Sequence, residues 1–291
     1  MRCHIALTAA AVLLSSCATQ PAAKLDPAYS SEIEQWRSDR EKRLKADDGW
    51  LTLVGLFWLN EGANKIGSDP NAEVPLPSSV PAQVGTMTLS KGKVHFKPAA
   101  GVALKETDLL DDNQPNYNVQ TLGSVRFYLI ERGGRHGIRV KDPQSPARTN
   151  FAGLDWYSPD PTWNVEATLV PAPHKVTFDT EVGLQQEGDS PGYLEFDRAG
   201  THYRVEPVTE DEELFLVLRD ATSGKTTYAA SRFLYTKLPD KEGHTRLDFN
   251  KAYNPPCVFT PYATCPLPPM QNRLTSSIEA GEKIYRGPSA H

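Results

Sequence analysis

The residues with the most chemistry to offer lie in one stretch, LDFNKAYNPPCVFTPYATCPLPPMQNRL, residues 247 to 274. Cys257 and Cys265 stand there with seven residues between them, set among prolines and flanked by Asp248, Asn250, Asn254, Asn272 and Arg273. Two thiols at this spacing can join, hold a metal or stay reduced. Structural zinc favours two to four residues between paired ligands and a second Cys or His pair, and His244 is the one candidate close by. In an oxidising compartment the sulfurs pair, and closing so short a loop is worth roughly 2.5 kcal/mol, less whatever the prolines already stiffen. A Cys257–Cys265 disulfide is therefore expected, with free thiols and a metal site as the alternatives.

A second group precedes it: Arg139 and Asp142 in GIRVKD, then Arg148, Phe151, Asp155 and Trp156 in ARTNFAGLDWY. Asp and Asn beside proline turns commonly bond to their own backbone, and Arg139 with Asp142 also reads as a hairpin ion pair. The functional reading gathers these groups into one pocket. Arg148 and Arg273 would hold an anionic group, Asp248 would accept a proton or orient a polar ligand, and Trp156 and Tyr253 would supply apolar walls. No Gly-x-Ser-x-Gly, His-Glu-x-x-His or Walker sequence occurs. The Ser-x-x-Lys match at Ser90 to Lys93 falls in a glycine turn, and no histidine has ligand spacing to another, so neither a metal nor a cofactor is expected.

The elements that must position these residues can be read along the chain. MRCHIALTAAAVLLSSC has a basic start, an apolar run too short to span a bilayer, and small residues before a cysteine. Residues 1–16 read as an export signal, and Leu14-Ser15-Ser16-Cys17 resembles the lipobox of bacterial lipoproteins, with Cys17 the acylated residue. Ala18, where inner-membrane retention commonly wants Asp, points to the periplasmic face of the outer membrane. Residues 17–30 form a polar tether. A helix follows, capped at Ser30 or Ser31 with Glu34 completing a capping box, and Ile33, Trp36, Arg40 and Leu44 recur at helical spacing. Beyond Gly49 short alternating runs separated by turns dominate. Gly133-Gly134 sits at a hairpin tip, and LTSSIEAGEKIYRG is read as a short closing helix. A net charge of −5 without a basic cluster excludes nucleic acid as a partner.

Several strings carry a family resemblance: WRSDREKRL with DGWLTLVGLFWLNEGANKIGSD, GIRVKD with FAGLDWYSPD, RFLYTKLPD, and LDFNKAYNPPC with TCPLPPMQNRL and AGEK. Together, from about Trp36 to Lys283, they resemble the DUF1684 family of bacterial and archaeal proteins, a likeness that implies no activity. Within it, GANKIGSDPNAEVPLP is similar to the opening strands of a forkhead-associated (FHA) β-sandwich. Ser68 stands where such domains place a phosphate-gripping arginine, so phosphopeptide recognition is not implied.

The expected protein is mainly β: a helix and an FHA-like sandwich over residues 31–170, then a second antiparallel β-rich block over 171–291 carrying the Pro/Cys loop, with short flanking helices. Its expected partners are a membrane, through the lipid, and a small anionic or polar ligand. A binding or structural role in the cell envelope leads, and a hydrolase-like enzyme using Asp248, Arg148 and Arg273 is the alternative.

Overall fold

The computed structural model describes residues 25–287, so the signal segment, Cys17 and most of the tether lie outside the described residues. The first element is α1 (Pro27–Lys45), and its start is set by Asp26. The Asp26 carboxylate accepts from the Ala28 N–H at 2.9 Å, and Pro27 brings a preset φ and no orphan donor to the first turn. The helix therefore begins ahead of Ser30 and Ser31, inside the stretch expected to be tether. Lys42, Arg43 and Lys45 fill its last turn, where the helix dipole favours cations. Ile33, Arg40 and Leu44 are its buried residues, and an arginine on a buried stripe needs a partner.

Nine strands then build a two-sheet sandwich: β1 (Leu53–Trp58), β2 (Gly62–Gly67), β3 (Val74–Pro75), β4 (Gly85–Ser90), β5 (Lys93–Pro98), β6 (Thr107–Leu109), β7 (Gln120–Leu122), β8 (Val125–Arg132) and β9 (Arg135–Lys141). One sheet runs β1-β9-β8-β7 and the other β3-β2-β4-β5-β6. Ile66, Met87 and Phe96 from one pack with Phe127, Leu129, Ile138 and Val140 from the other. The β8–β9 hairpin turns at Gly133 and Gly134, both at positive φ as the dipeptide predicts. Ser68 is spent on its own loop, its Oγ donating to the Val80 carbonyl at 2.8 Å.

A turn of helix, α2 (Pro146–Thr149), leads to the second unit: β10 (Asn164–Asp179), β11 (Gln185–Arg198), β12 (Thr201–Val205), β13 (Val208–Glu210), β14 (Glu213–Leu218), β15 (Arg232–Lys237) and β16 (His244–Asp248). The sheets are β12-β11-β10-β16 and β13-β14-β15. Side chains help close the seam between β15 and β16: Thr236 Oγ1 donates to the Arg246 carbonyl at 2.7 Å and Thr245 Oγ1 to the Lys237 carbonyl at 2.8 Å. Strands β10 and β11, 16 and 14 residues long, bend together, with a register break between Pro171 and His174. Gly192 sits at that bend with φ +139°, and a Cβ there would stand 2.2 Å from the Val170 carbonyl oxygen. Before the bend Val165 and Ala167 join one core with Leu194, Leu214, Leu216, Leu234 and Leu247; after it Val176 and Phe178 join another with Phe215, Val217, Phe233 and both cysteines.

Three sequence expectations change. The boundary expected at residue 170 falls inside β10, so the division lies between Lys141 and Asn164. Helix α1 bonds to the second unit rather than belonging with the sandwich: Tyr29 reaches Asp248 and Arg40 reaches Asn254. The closing helix is absent, because the segment's backbone groups are claimed by distant partners. Leu274 N–H bonds the Arg219 carbonyl, Ile278 N–H the Asp220 carboxylate and Ile284 N–H the Thr226 carbonyl.

That C-terminal strap is fastened by a buried ion pair. Arg232 and Asp220 have no exposed side-chain surface; the guanidinium bonds Asp220 Oδ2 and donates to the carbonyls of Ala280 (2.6 Å) and Ile278 (3.1 Å). Asp220 Oδ1 also accepts from Thr222 N–H, Thr222 Oγ1 and Ile278 N–H. Removing one partner strands the other charge in the core. Arg232→Met is expected to cost about 3–5 kcal/mol in urea unfolding, and a loss under about 1 kcal/mol would show that the pair does not hold the strap.

Candidate functional site

The alternation of β14 leaves two apolar faces. Leu214, Leu216 and Leu218 point into the barrel-like core, while Phe215 and Val217 point outward. The outward face of β13–β15 is only partly covered, by α1 on one side and the Pro/Cys loop on another, and a cleft remains. Its inner chamber, about 570 Å³, is walled by Trp50, Phe178, Phe215, Phe233, Tyr235 and Tyr253, with Pro256 and Pro266 from the Cys loop. The rings brace each other: Phe215 meets Phe233 edge-on at 4.9 Å and stacks with Tyr235 at 4.7 Å, and Phe233 meets Tyr253 edge-on at 5.9 Å.

An outer, polar chamber of about 990 Å³ continues along α1 and includes Trp36, Lys237, Arg246, Asp248 and Lys251. Arg40, Arg43, Tyr235 and Tyr253 line both chambers. Arg40 is 7% exposed, and its guanidinium lies 4.5 Å from the Tyr253 ring centroid. Its Nε faces Glu282 Oε2 at 3.4 Å and its Nη2 donates to the Asn254 carbonyl at 2.9 Å. Glu282 is fully buried, and burial raises its pKa against the opposing pull of Arg40. Tyr235 donates to Glu210 Oε2 at 2.7 Å. Burial pushes the Tyr253 phenol up to about 12, so it keeps its proton at neutral pH.

The structure scatters the pocket expected from sequence. Arg148 is consumed at the C-terminal end of α1: Nε donates to the Lys45 carbonyl at 2.7 Å, Nη1 to the Pro143 carbonyl at 2.9 Å, and Nη2 to Asp47 at 2.6 Å. Asp248 sits at the other end of the helix, accepting from the Tyr29 hydroxyl at 2.8 Å and from Asn250. Tyr29 and Lys45 are separated by about 24 Å of helix, so the two cannot serve one ligand. Arg273 lies elsewhere again, its Nε on the Pro268 carbonyl and its backbone beside Arg219, past the end of β14 opposite Glu213. Of the three, Asp248 alone lines the cleft.

The other candidates prove to be braces. Asn250 bonds both backbone groups of Asp160, and Asn272 ties Glu206 to the Val217 carbonyl. Asn254 donates to Glu282 and to the Lys283 carbonyl. Trp156 packs edge-on against Trp36 at 5.7 Å, outside the cleft lining. Cys257 and Cys265 are unbonded thiols here, both buried, with the Cys257 N–H 3.2 Å from Cys265 Sγ. The neighbouring Cys265 and burial push the Cys257 thiol up, away from the reactive thiolate. Among the described residues no group of three His, Cys, Asp or Glu could hold a metal ion.

Sequence reasoning missed Arg43, Phe215, Phe233 and Tyr235 as cleft residues, which read as helix surface or strand core. The one available signal was Arg40, a charge at an apolar position of the helical stripe.

With the geometry in place, the class is a mainly β protein carrying an aromatic cleft under one helix. The family model for the "Protein of unknown function (DUF1684)" matches residues 149–283. A solution NMR structure of an uncharacterised protein from Haloarcula marismortui is 31% identical, over 47% of this chain and 78% of that one, with a TM-score of 0.39. No curated protein matches. The chain belongs to the DUF1684 family.

Arg139 and Asp142 do not pair. Arg139 lies 3.6 Å from Asp112 and 5.4 Å from the centre of Trp50, while Asp142 accepts from Gln144 N–H and turns the chain. Between them Lys141 lies near Trp50 and Tyr128 and donates to the Asp48 carbonyl. Burial, then the Arg139 charge, lowers its pKa from 10.5 to about 8. Below pH 8 both folded and unfolded chains hold this proton and the cost of burying the ammonium is complete. Between 8 and 10.5 only the unfolded chain holds it, so stability from this group rises with pH. Lys141→Met should therefore exceed wild type most below pH 8, with the gap narrowing towards pH 10 in urea midpoints. A pH-independent gap would contradict the shift.

Proposed function

We propose that this chain is an exported, lipid-anchored protein of the cell envelope whose second β unit binds a small molecule in the cleft beneath α1. The observation that carries the binding role is the cleft itself: a concave, preformed space of about 570 Å³ with six aromatic side chains and a few convergent polar groups. Side chains that brace one another before any ligand arrives lose little freedom on binding. The hydrolase alternative is left without its site, since Arg148, Arg273 and Asp248 are apart and each is engaged by its own neighbours.

Export is supported by the basic start, apolar run and Leu-Ser-Ser-Cys ending of residues 1–17. It also bears on the cleft wall. The two thiols lie side by side behind Pro256 and Pro266, and an oxidising compartment would join them and stiffen that wall.

One experiment reads both parts of the localisation. Intact mass of the protein recovered from the membrane fraction should show a chain starting at acylated Cys17, two hydrogens lighter than the dithiol form and regaining them on reduction. Recovery with Met1 retained and both thiols free would overturn it. For the binding role, tryptophan emission from Trp36 and Trp50 should change on addition of small aromatic or acyl compounds, with a rise in unfolding temperature. Silence across such a panel would remove the cleft as a binding site.

A further inference from the structure

We infer that the cleft is built for an amphiphilic organic anion: an apolar body in the aromatic chamber, with a carboxylate or phosphate at the junction held by Arg40 and Arg43. The inference deepens the binding reading above and rests on it.

The junction decides the charge. Arg40 uses Nε and Nη2 on Glu282 and Asn254, leaving Nη1 with no acceptor among the described residues, yet that atom is not sealed from solvent. A guanidinium on a residue only 7% exposed, lining both chambers, therefore presents a free donor to the cleft. Arg43, one helical turn away, lines the same two chambers and forms no ion pair or side-chain hydrogen bond among the described residues. Tyr253 has its hydroxyl proton available beside them. Three donors around one opening, without acceptors among the described residues, ask for an anion.

The chambers also carry carboxylates, Glu187 and Glu210 in the inner one and Glu32, Glu213, Asp240 and Asp248 in the outer. Lys251 faces Glu32 at 2.6 Å and Asp248 at 3.7 Å, Lys237 and Arg246 stand with Arg40 and Arg43 against the rest, and Glu282 meets Arg40 from the core. The anion is therefore assigned to the donors of the two guanidiniums, not to the net charge of the lining. A ligand cation seeking the aromatic faces would meet two guanidiniums, and Arg40 already occupies the face of Tyr253. The inner chamber offers rings where an acyl chain or a fused ring can displace water.

The geometry also suggests where such a ligand comes from. Eight residues lie between Cys17 and Asp26, where α1 is capped, and the nine steps from one to the other span at most about 30 Å when fully extended. If Cys17 is acylated, the helix roofing the cleft is held within that distance of the bilayer. Amphiphilic anions occur both in membranes and free in solution, and the two arms of the test separate these sources.

Decanoate, decyl phosphate and decanol are titrated against the full chain carrying Cys17→Ser, reading tryptophan emission. The same additives are then presented to the lipidated chain in phosphatidylcholine vesicles. The expected result is binding of both anions, weakened about tenfold in Arg43→Gln, with decanol changed less than about twofold. Arg43 is exposed and its side chain bonds to nothing among the described residues, so only the small dipole contribution of its charge is lost and the urea midpoint should shift little. Decanol binding as tightly as decanoate, indifferent to Arg43→Gln, would overturn the anion and leave the binding role standing. No response to any probe would overturn both. Transfer from vesicles supports a membrane source for the anion, and binding of free anion alone removes that source.

Discussion

The contact between Asp220 and Arg232 is where the architecture is fastened. Two full charges without exposed surface are costly to bury, and they are tolerated because every oxygen of the carboxylate and most of the guanidinium donors are occupied. What the pair organises is larger than itself. By holding the Ile278 and Ala280 carbonyls it fixes the C-terminal strap, and two residues further on that strap delivers Glu282 to Arg40 and Asn254. Arg40 is thereby laid over Tyr253, at the junction of the two chambers. A salt bridge on the far side of β14 and β15 thus determines where a guanidinium stands in the cleft.

The cleft stays open because its roof is pinned by polar anchors at its ends. At one end Tyr29 bonds Asp248 and Asn250, and Lys251 reaches back to Glu32. At the other Arg148 clasps Lys45 and Asp47. Such bonds fix the height of a helix without requiring side chains to fill the space beneath it. An apolar interface would have pulled α1 down until the space beside Phe215 and Phe233 was filled, since each buried methylene is worth about 0.8 kcal/mol. Asp248, Asn250 and Asn254, which looked like ligand-binding groups, are posts of this arrangement.

Much of the fold was legible in the sequence and little of the site. Gly133-Gly134 and the strands flanking it gave their hairpin, because a two-residue turn needs positive φ and few residues supply it. Ile33 and Leu44 gave the buried stripe of α1. What α1 packs against was not legible, since its partners Asn254 and Glu282 lie more than two hundred residues away. The boundary expected at residue 170 falls inside β10, because β10 and β11 run through that place as a bend between two cores. The closing segment failed for a related reason: local propensity favoured a helix, but Asp220, Arg219 and Arg232 offered its backbone better partners. The expected pocket is dispersed because α1 holds Arg148 at one end and Asp248 at the other while Arg273 lies past the end of β14, distances that sequence strings do not encode.

That period also explains the segment that looked most like a reaction centre. The run LFLVL in β14 is apolar at every position, as expected of a strand buried on both faces rather than one facing solvent. The barrel-like core covers Leu214, Leu216 and Leu218; Phe215 and Val217 need a second cover. The Pro/Cys loop supplies part of it, with Cys257, Ala263 and Cys265 packed against them. Prolines suit a covering segment that forms no sheet, because they limit the freedom the loop must surrender on folding. The loop leaves a gap beside Tyr235 and Phe215, and that gap is the inner chamber. The cysteines back the wall that Pro256 and Pro266 present to the inner chamber.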